Sequence, residues 1–375
     1  MAATADVWRF ADPTEIHFGR GARITLPGIT QTLGRRPVLV TDSGLAELPI
    51  IEDLRERLPA DTPVFADIEP NPTVEMVDAL SEQIREHDAD LLVAAGGGSS
   101  LDCAKAAGSV SQQGGPARKY HSEGGALDER HLPLIAIPTT AGTGSEVTPI
   151  AVLDDPEKGV KAPLVHDNFF PAVALVDPAL TESMPPKVTA STGFDALAHA
   201  VEGYWSRNHN PISDALALEA VRLFFEHMPR VMQDGSDLAA REGMSLAALL
   251  GGMAFQAPKN AAVHACSFPF SATYHLPHGT ACALTLDHFM RFNAPAMGGR
   301  GERLARAGGF ETMAQMADAF AAMKARSGLP TRLSDFGVTT DDIPVLVEGS
   351  FHPLMENNPR EVTPEQLAGI YRRML

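Results

Sequence analysis

As far as Asp177-Pro178 the chain alternates short apolar, β-rich runs with helical patterns. Beyond that point the alternation stops. The strand-like runs are Pro37–Thr41, Pro63–Asp67, Asp90–Ala95, Leu134–Ile137 and Ala172–Val176. Helical patterns at Gly44–Arg57 and Val74–His87 lie between them. Strands separated by helices can pair only through crossovers, which makes the sheet parallel and the crossovers right-handed. The later half is rich in Ala, Leu and Met, with helical patterns at Pro211–His227, Ala239–Phe255 and Glu311–Ser327. The Pro pair in Met184-Pro185-Pro186 interrupts helix and strand alike. The expected organisation is therefore an α/β domain with a parallel, Rossmann-like sheet over 1–184 and an all-α domain over 185–375.

The 375 residues are enough for two cores of this kind. Three cysteines, Cys103, Cys266 and Cys282, make no disulfide framework and point to a reducing, cytoplasmic setting. The opening Met-Ala-Ala-Thr-Ala-Asp-Val-Trp-Arg-Phe has no basic segment followed by an apolar one, so no secretory leader is expected. No run reaches the roughly eighteen apolar residues of a membrane span. A formal charge of −17 repels nucleic acid and anionic lipid, so neither is an expected partner. A local basic pocket for an anionic small molecule stays compatible with that charge.

Three loops in the sheet half carry chemistry. Ala94-Ala95-Gly96-Gly97-Gly98-Ser99-Ser100-Leu101-Asp102 follows an apolar strand and opens a helix running through Lys105. Glycines let backbone approach a pyrophosphate, and a helix start offers free N–H groups with a positive dipole end. The spacing differs from G-x-G-x-x-G, and a triple glycine is also what a tight turn uses. Ile137-Pro138-Thr139-Thr140-Ala141-Gly142-Thr143-Gly144-Ser145-Glu146 is dense in hydroxyls that suit phosphate, ribose or amide groups, or a plain surface turn. Asp42 ends a strand, where a carboxylate accepts from ribose hydroxyls and opposes a 2′-phosphate. Asp42-Ser43-Gly44 equally suits a helix cap.

In the helical half, Asp195 and His199 stand four residues apart in Ser-Thr-Gly-Phe-Asp-Ala-Leu-Ala-His-Ala-Val-Glu, one turn apart on one helix face. His264 and His278 follow in Ala-Val-His-Ala-Cys-Ser-Phe-Pro-Phe and Leu-Pro-His-Gly. One carboxylate and three imidazoles suit a divalent ion such as Zn2+ or Fe2+ and leave room for a substrate oxygen. The Asp195/His199 pair alone also fits a surface pair or a satisfied core histidine. A cleft between the two halves is the expected place for the loops and these donors to meet.

Together these residues resemble the iron-containing (group III) alcohol dehydrogenase family. The matching pieces are Gly96-Gly97-Gly98-Ser99 with Asp102 and Lys105, Pro138–Glu146, Asp177-Pro178, Thr192–Glu202, Pro277-His278-Gly279 and Asn357-Asn358-Pro359-Arg360, in family order over nearly the whole chain. The resemblance implies a dehydroquinate synthase-like architecture and a metal- and NAD(H)-dependent exchange of hydride with a small alcohol or aldehyde. NAD(H) is expected over NADP(H), with Asp42 as the selector. It places the metal ligands on Asp195, His199, His264 and His278, and the pyrophosphate loop on Gly97, Gly98 and Ser99. The nicotinamide-side loop falls on Thr139 and Thr140 and the adenosine side on Asp42 and Asn71. Asp102, Ser145, Lys161 and Leu180 are further cofactor-side positions. A homodimer or larger homo-oligomer is expected.

One position departs from the pattern. Many members carry a second histidine four residues after the third ligand, and Phe268 stands there. A proton relay through that position is therefore lost, and His275 is the nearby substitute, although a loop imidazole fits it too. Phe268, with Lys259 ahead of His264, resembles branches acting on anionic aldehydes and oxo acids, the phosphonoacetaldehyde reductase branch most of all. There Lys259 pairs with a phosphonate or carboxylate; a solvated lysine at a helix start is the alternative. Cys266 reads as a packing residue. The rivals on this scaffold are dehydroquinate synthase-like or maleylacetate reductase-like enzymes, and a nucleotide sensor without catalysis. The first needs more basic side chains near the sites, and the last is marked by lost metal ligands.

Overall fold

The computed structural model describes residues 7–375. Its contacts divide the chain into two compact units. One is Asp12–Thr140 with Gly144–Ser183; the other is Met184–Leu375 with Ala141–Thr143 and the described N-terminal residues through Ala11.

The first unit is built on eight strands: β1 (Glu15–Phe18), β2 (Pro37–Asp42), β3 (Val64–Ile68), β4 (Leu91–Gly96), β5 (Leu134–Pro138), β6 (Ile150–Asp155), β7 (Val160–Val165) and β8 (Val173–Val176). Six of them form one sheet in the order β1-β8-β5-β4-β2-β3. Every pairing in it is parallel, with Val38 opposite Leu92 and Ala94 opposite Ala136. Helices cover both faces, and successive residues enter different cores. Val38, Val40, Leu92 and Ala94 face one cluster; Leu39, Leu91, Val93 and Ala95 face the other. This two-sided burial explains why the strands read as unbroken apolar runs. The chain leaves β2 outward to β3 and returns to the far side of β2 as β4. The topological switch point therefore lies between β2 and β4.

All five expected strands are present, within a residue or two of their expected ends. The expected helix at Gly44–Arg57 is shorter, Pro49–Arg55, because Pro49 lacks an amide hydrogen and can only open a helix. β1 and the antiparallel β6–β7 ribbon were not expected.

The second unit is helical. Its principal helices are Pro186–Trp205, Pro211–Gln233, Leu238–Phe255, Ala262–Tyr274 and His278–Met297. Pro186–Trp205 is the central one. Its buried residues run unbroken from Gly193 to Trp205, including Asp195, His199 and Glu202, so it has no solvent face there. Close approach needs small residues. A Cβ on Gly203 would stand 2.9 Å from the Ala254 carbonyl oxygen, and one on Gly279 would overlap the Ser191 carbonyl. Asn358 and Asn293 exchange amide hydrogen bonds at 2.8 and 2.9 Å, while Asn357 Nδ2 donates to the Asn260 carbonyl at 2.8 Å. These bonds tie the 357–358 segment to the His278–Met297 helix through Asn293 and to the loop leading into the Ala262–Tyr274 helix through Asn260. Among the described residues no helix is long and apolar enough to cross a membrane.

Candidate metal and cofactor sites

Asp195, His199 and Glu202 project from one helix at i, i+4 and i+7. His264 comes from the Ala262–Tyr274 helix, and His278 opens the His278–Met297 helix. His264 Nε2 and His278 Nε2 lie 3.7 and 3.6 Å from Asp195 Oδ1, and His199 Nδ1 lies 4.0 Å from Oδ2. The His264 and His199 rings stack at 4.6 Å, and Phe255 stacks on the other side of His199 at 4.3 Å. The structure thus brings the four expected ligands together. Among the described residues, however, the group whose ligand atoms all lie within 4.8 Å of one another is Asp195, His264, His278 and Cys282, without His199.

These residues fit a divalent ion on three counts. First, Asp195 Oδ1, His199 Nδ1 and His264 Nε2 are buried and accept no hydrogen bond, although such groups normally find partners. Second, donors about 2.0–2.2 Å from a tetrahedral ion stand about 3.3–3.6 Å apart, close to the separations here. Third, the charges need a cation. Asp195 and Glu202 are 2% and 0% exposed, and among the described residues their ion-pair partners are histidines only. An uncompensated buried carboxylate is costly, and a divalent ion neutralises two. The residues fit.

Glu202 sets the tautomer of His264. It lies 2.5 Å from His264 Nδ1 and accepts from the Val263 amide at 2.6 Å. A carboxylate only accepts, so Nδ1 carries the hydrogen and Nε2 keeps its lone pair toward Asp195. Burial works against the His264 imidazolium, but Cys282 and then Glu202 favour it and raise its pKa well above the ordinary value; without an ion Nε2 takes up a proton, which a divalent ion bound there displaces. Burial, and then the charge of His264, drive His199 well below it. Glu202 stood in the motif without a role, though its i+7 spacing from Asp195 was a signal. Cys282, one turn after His278, was likewise passed over.

The other expected residues of this unit are placed as follows. Lys259 lies in the loop before the His264 helix with φ +65°, and His275 ends that helix, exposed, with φ +55°. Phe268 packs edge-on against His352 at 4.8 Å. Phe270, two residues on, is fully buried against Phe336 and Tyr371 and does not border Phe268's side of the helix. Its position two residues after Phe268 turns it to another face of the helix.

In the sheet unit, Asp42 ends β2, and Asn71, Gly97–Ser99 and Thr139–Thr140 follow the carboxyl ends of β3, β4 and β5, four adjacent strands spanning the switch point. The Gly98–Gln113 helix opens there with Gly97 at its N-cap, no side-chain cap and no acid in its first turn. Its free N–H groups fit an anion. A Cβ on Gly97 would fill the space against Thr140 at 3.5 Å. Asp42 accepts from the Leu45 amide at 3.1 Å and from Ser100 at 3.3 Å, so it organises the turn as well. Burial pushes its carboxyl up, against hydrogen bonds from Ser100, Leu45 and Gly44. Lys161 Nζ donates to Asn71 Oδ1 at 2.7 Å, and the Asn71 amide donates to Ser99 at 3.3 Å. The unexpected β6–β7 ribbon is what delivers Lys161.

Asp102 and Ser145 have protein partners. Ser145 Oγ donates to Asp102 at 2.6 Å, the Val152 amide donates to Asp102 at 2.9 Å, and buried Lys105 donates to Ser145 at 2.6 Å. This network braces the two loops from beneath. Leu180 is 2% exposed in the core next to β8.

Comparison with known proteins follows the same division. Residues 13–178 match the family described as iron-containing alcohol dehydrogenase, and residues 189–375 match the C-terminal part of the Fe-containing alcohol dehydrogenase family. The structure resembles that of a sulfoacetaldehyde reductase from Bifidobacterium kashiwanohense in complex with NAD+. The TM-score is 0.95 at 42% identity, covering 98% of each chain. An NAD-dependent methanol dehydrogenase of Bacillus methanolicus is 32% identical over 98% of this chain and 99% of its own. A 1-propanol dehydrogenase of Salmonella typhimurium is 34% identical over 98% and 99%.

Proposed function

The chain belongs to the iron-containing alcohol dehydrogenase family, as an NAD-dependent oxidoreductase acting on CH–OH groups, and on that premise we propose that it reduces a short anionic aldehyde with NADH. In this reading Asp195, His199, His264 and His278 hold one divalent metal ion. Residues 1–184 form the dinucleotide-binding domain and 185–375 the metal-binding one. The observation that carries it is the convergence of buried, unpartnered Asp195 Oδ1, His199 Nδ1 and His264 Nε2 beside His278.

When bound, the ion supplies Lewis acidity to a carbonyl oxygen and the nicotinamide supplies hydride. The chain's own residues do the rest. Glu202 fixes the His264 tautomer, and Phe255 shields one face of His199 from water. The Gly97–Ser99 amides receive the pyrophosphate, Asp42 and Asn71 the adenosine side, and Thr139 and Thr140 the nicotinamide side. Exposed His275, three residues before His278, delivers the proton. A cytoplasmic homo-oligomer completes the reading, and light scattering of the purified protein tests the assembly.

The anionic substrate rests on Lys259 and on the sulfoacetaldehyde reductase likeness. A charge-assisted hydrogen bond from Lys259 is worth on the order of 1.5–3 kcal/mol, roughly a ten- to hundredfold preference in kcat/KM. NADH consumption with sulfoacetaldehyde, phosphonoacetaldehyde and propanal, in wild type and Lys259→Ala, measures it. Equal ratios of charged to neutral substrate in the two proteins overturn the role of Lys259. Metal analysis of His264→Ala and His278→Ala tests the ligand set, which fails if both retain full occupancy.

A further inference from the structure

Cys282 sits one turn after His278 on the same helix, as His199 sits one turn after Asp195. Its Sγ lies 3.8 Å from His278 Nε2, and it joins Asp195 Oδ1 and His264 Nε2 in a group spanning no more than 4.8 Å. The thiol is 0% exposed, its own hydrogen-bond partners are the candidate ligands His278 and His264, and Asp195 Oδ1 beside them is buried without a partner. A cysteine that merely fills space looks different. Cys266 is equally buried but packs against Ser350 and Tyr371 hydroxyls, away from the donors.

We propose that Cys282 is a sulfur donor to the metal ion, so that the site of this chain is thiophilic and takes zinc over ferrous iron. The inference rests on the metal reading above and adds a ligand to it. Carboxylate and imidazole accept either ion, whereas a thiolate favours zinc on softness and on the order of divalent affinities. Binding exchanges the Sγ–H bond for an Sγ–metal bond and releases one proton to solvent, with no change of oxidation state. Asp195 then divides its oxygens. Oδ1 faces the His264, His278 and Cys282 side, and Oδ2 faces His199.

The test is spectroscopic and independent of turnover. The metal-depleted full chain is titrated with Co2+. Expected are visible ligand-field bands together with a near-ultraviolet thiolate-to-cobalt charge-transfer band. Cys282→Ser keeps the first and loses the second, with Cys282→Ala as the second variant should serine disturb the packing. Cys266→Ser keeps both. In competition, the preference of Cys282→Ser for Zn2+ over Fe2+ falls roughly tenfold or more. Cobalt bound by wild type without the charge-transfer band overturns the sulfur ligand and leaves the metal site standing. A band that survives loss of Cys282, or vanishes with Cys266, overturns it too. Failure to bind cobalt at all overturns both readings.

Discussion

Replacing Glu202 by Gln keeps the side-chain volume and removes a pure acceptor from the one place where three donors converge. Those donors are His264 Nδ1–H at 2.5 Å, the Val263 amide at 2.6 Å and the His264 amide at 3.4 Å. A carboxamide has one accepting oxygen, and its NH2 must then face a group that already donates. The cheapest relief is for His264 to move its hydrogen to Nε2, the atom that faces Asp195 Oδ1 at 3.7 Å, which silences it as a ligand. Hydrogen bonds to a charged acceptor contribute about 1.5–3 kcal/mol. Loss of such partners behind a metal-bound histidine typically weakens binding about 10–100-fold, equivalent to about 1.4–2.7 kcal/mol. The two routes agree. Metal-depleted wild type and Glu202→Gln are titrated with Zn2+ against a chromogenic chelator, with circular dichroism confirming that the variant is folded. A folded variant with wild-type affinity refutes the claim that Glu202 sets the donor atom of His264.

Asp42→Gly improves kcat/KM for NADPH relative to NADH by roughly tenfold or more, since a carboxylate beside a 2′-phosphate is a like-charge contact; a wild type that already favours NADPH contradicts this. Burial, against a backbone hydrogen bond and Lys105, pushes the Glu146 carboxyl from 4.5 up to about 7. A raised folded-state value means that its contribution to stability is full below about pH 4.5 and is lost as pH rises through about 7, on the order of 3 kcal/mol. Glu146→Gln therefore flattens the fall in denaturant midpoint between about pH 5 and 8, and parallel curves for the two proteins contradict it. Gly279→Ala forces a Cβ onto the Ser191 carbonyl and to 3.0 Å from Asp195 Cβ. It costs about 1–3 kcal/mol of stability and weakens metal binding by displacing His278, whereas an unchanged thermal midpoint shows that the helices yield freely.

The parallel sheet was legible because two-sided burial keeps Pro37–Val40 of β2, and all of β4 and β5, free of polar residues. β1 was not, because Glu15–Phe18 is short and lacks a buried residue; it is a strand only by pairing with β8. The β6–β7 ribbon was not legible either, because Ile150–Asp155 does not alternate apolar with polar residues although Ala151, Leu153 and Asp155 alternate in burial. At the metal site, one-turn spacing revealed Asp195 and His199. Spacing put Glu202 on the face of Asp195 and Cys282 on that of His278, but their contacts with His264 and Asp195, on other helices, needed coordinates. Phe270 shows the opposite limit: an aromatic near a ligand in sequence belongs to a different face in space.

The asparagine brace has a consequence in time. The backbone just before His264 is held by Asn357, and Asn358 holds Asn293 on the helix that His278 opens. During synthesis Asp195, His199, His264 and His278 are all made long before residues 357 and 358 emerge from the ribosome. The ligands exist early, but the clamp that fixes two of their three helices arrives late. On the proposed ligand set, ion affinity is realised only by the finished geometry, so that loading follows the arrival of Asn357 and Asn358 in the fold.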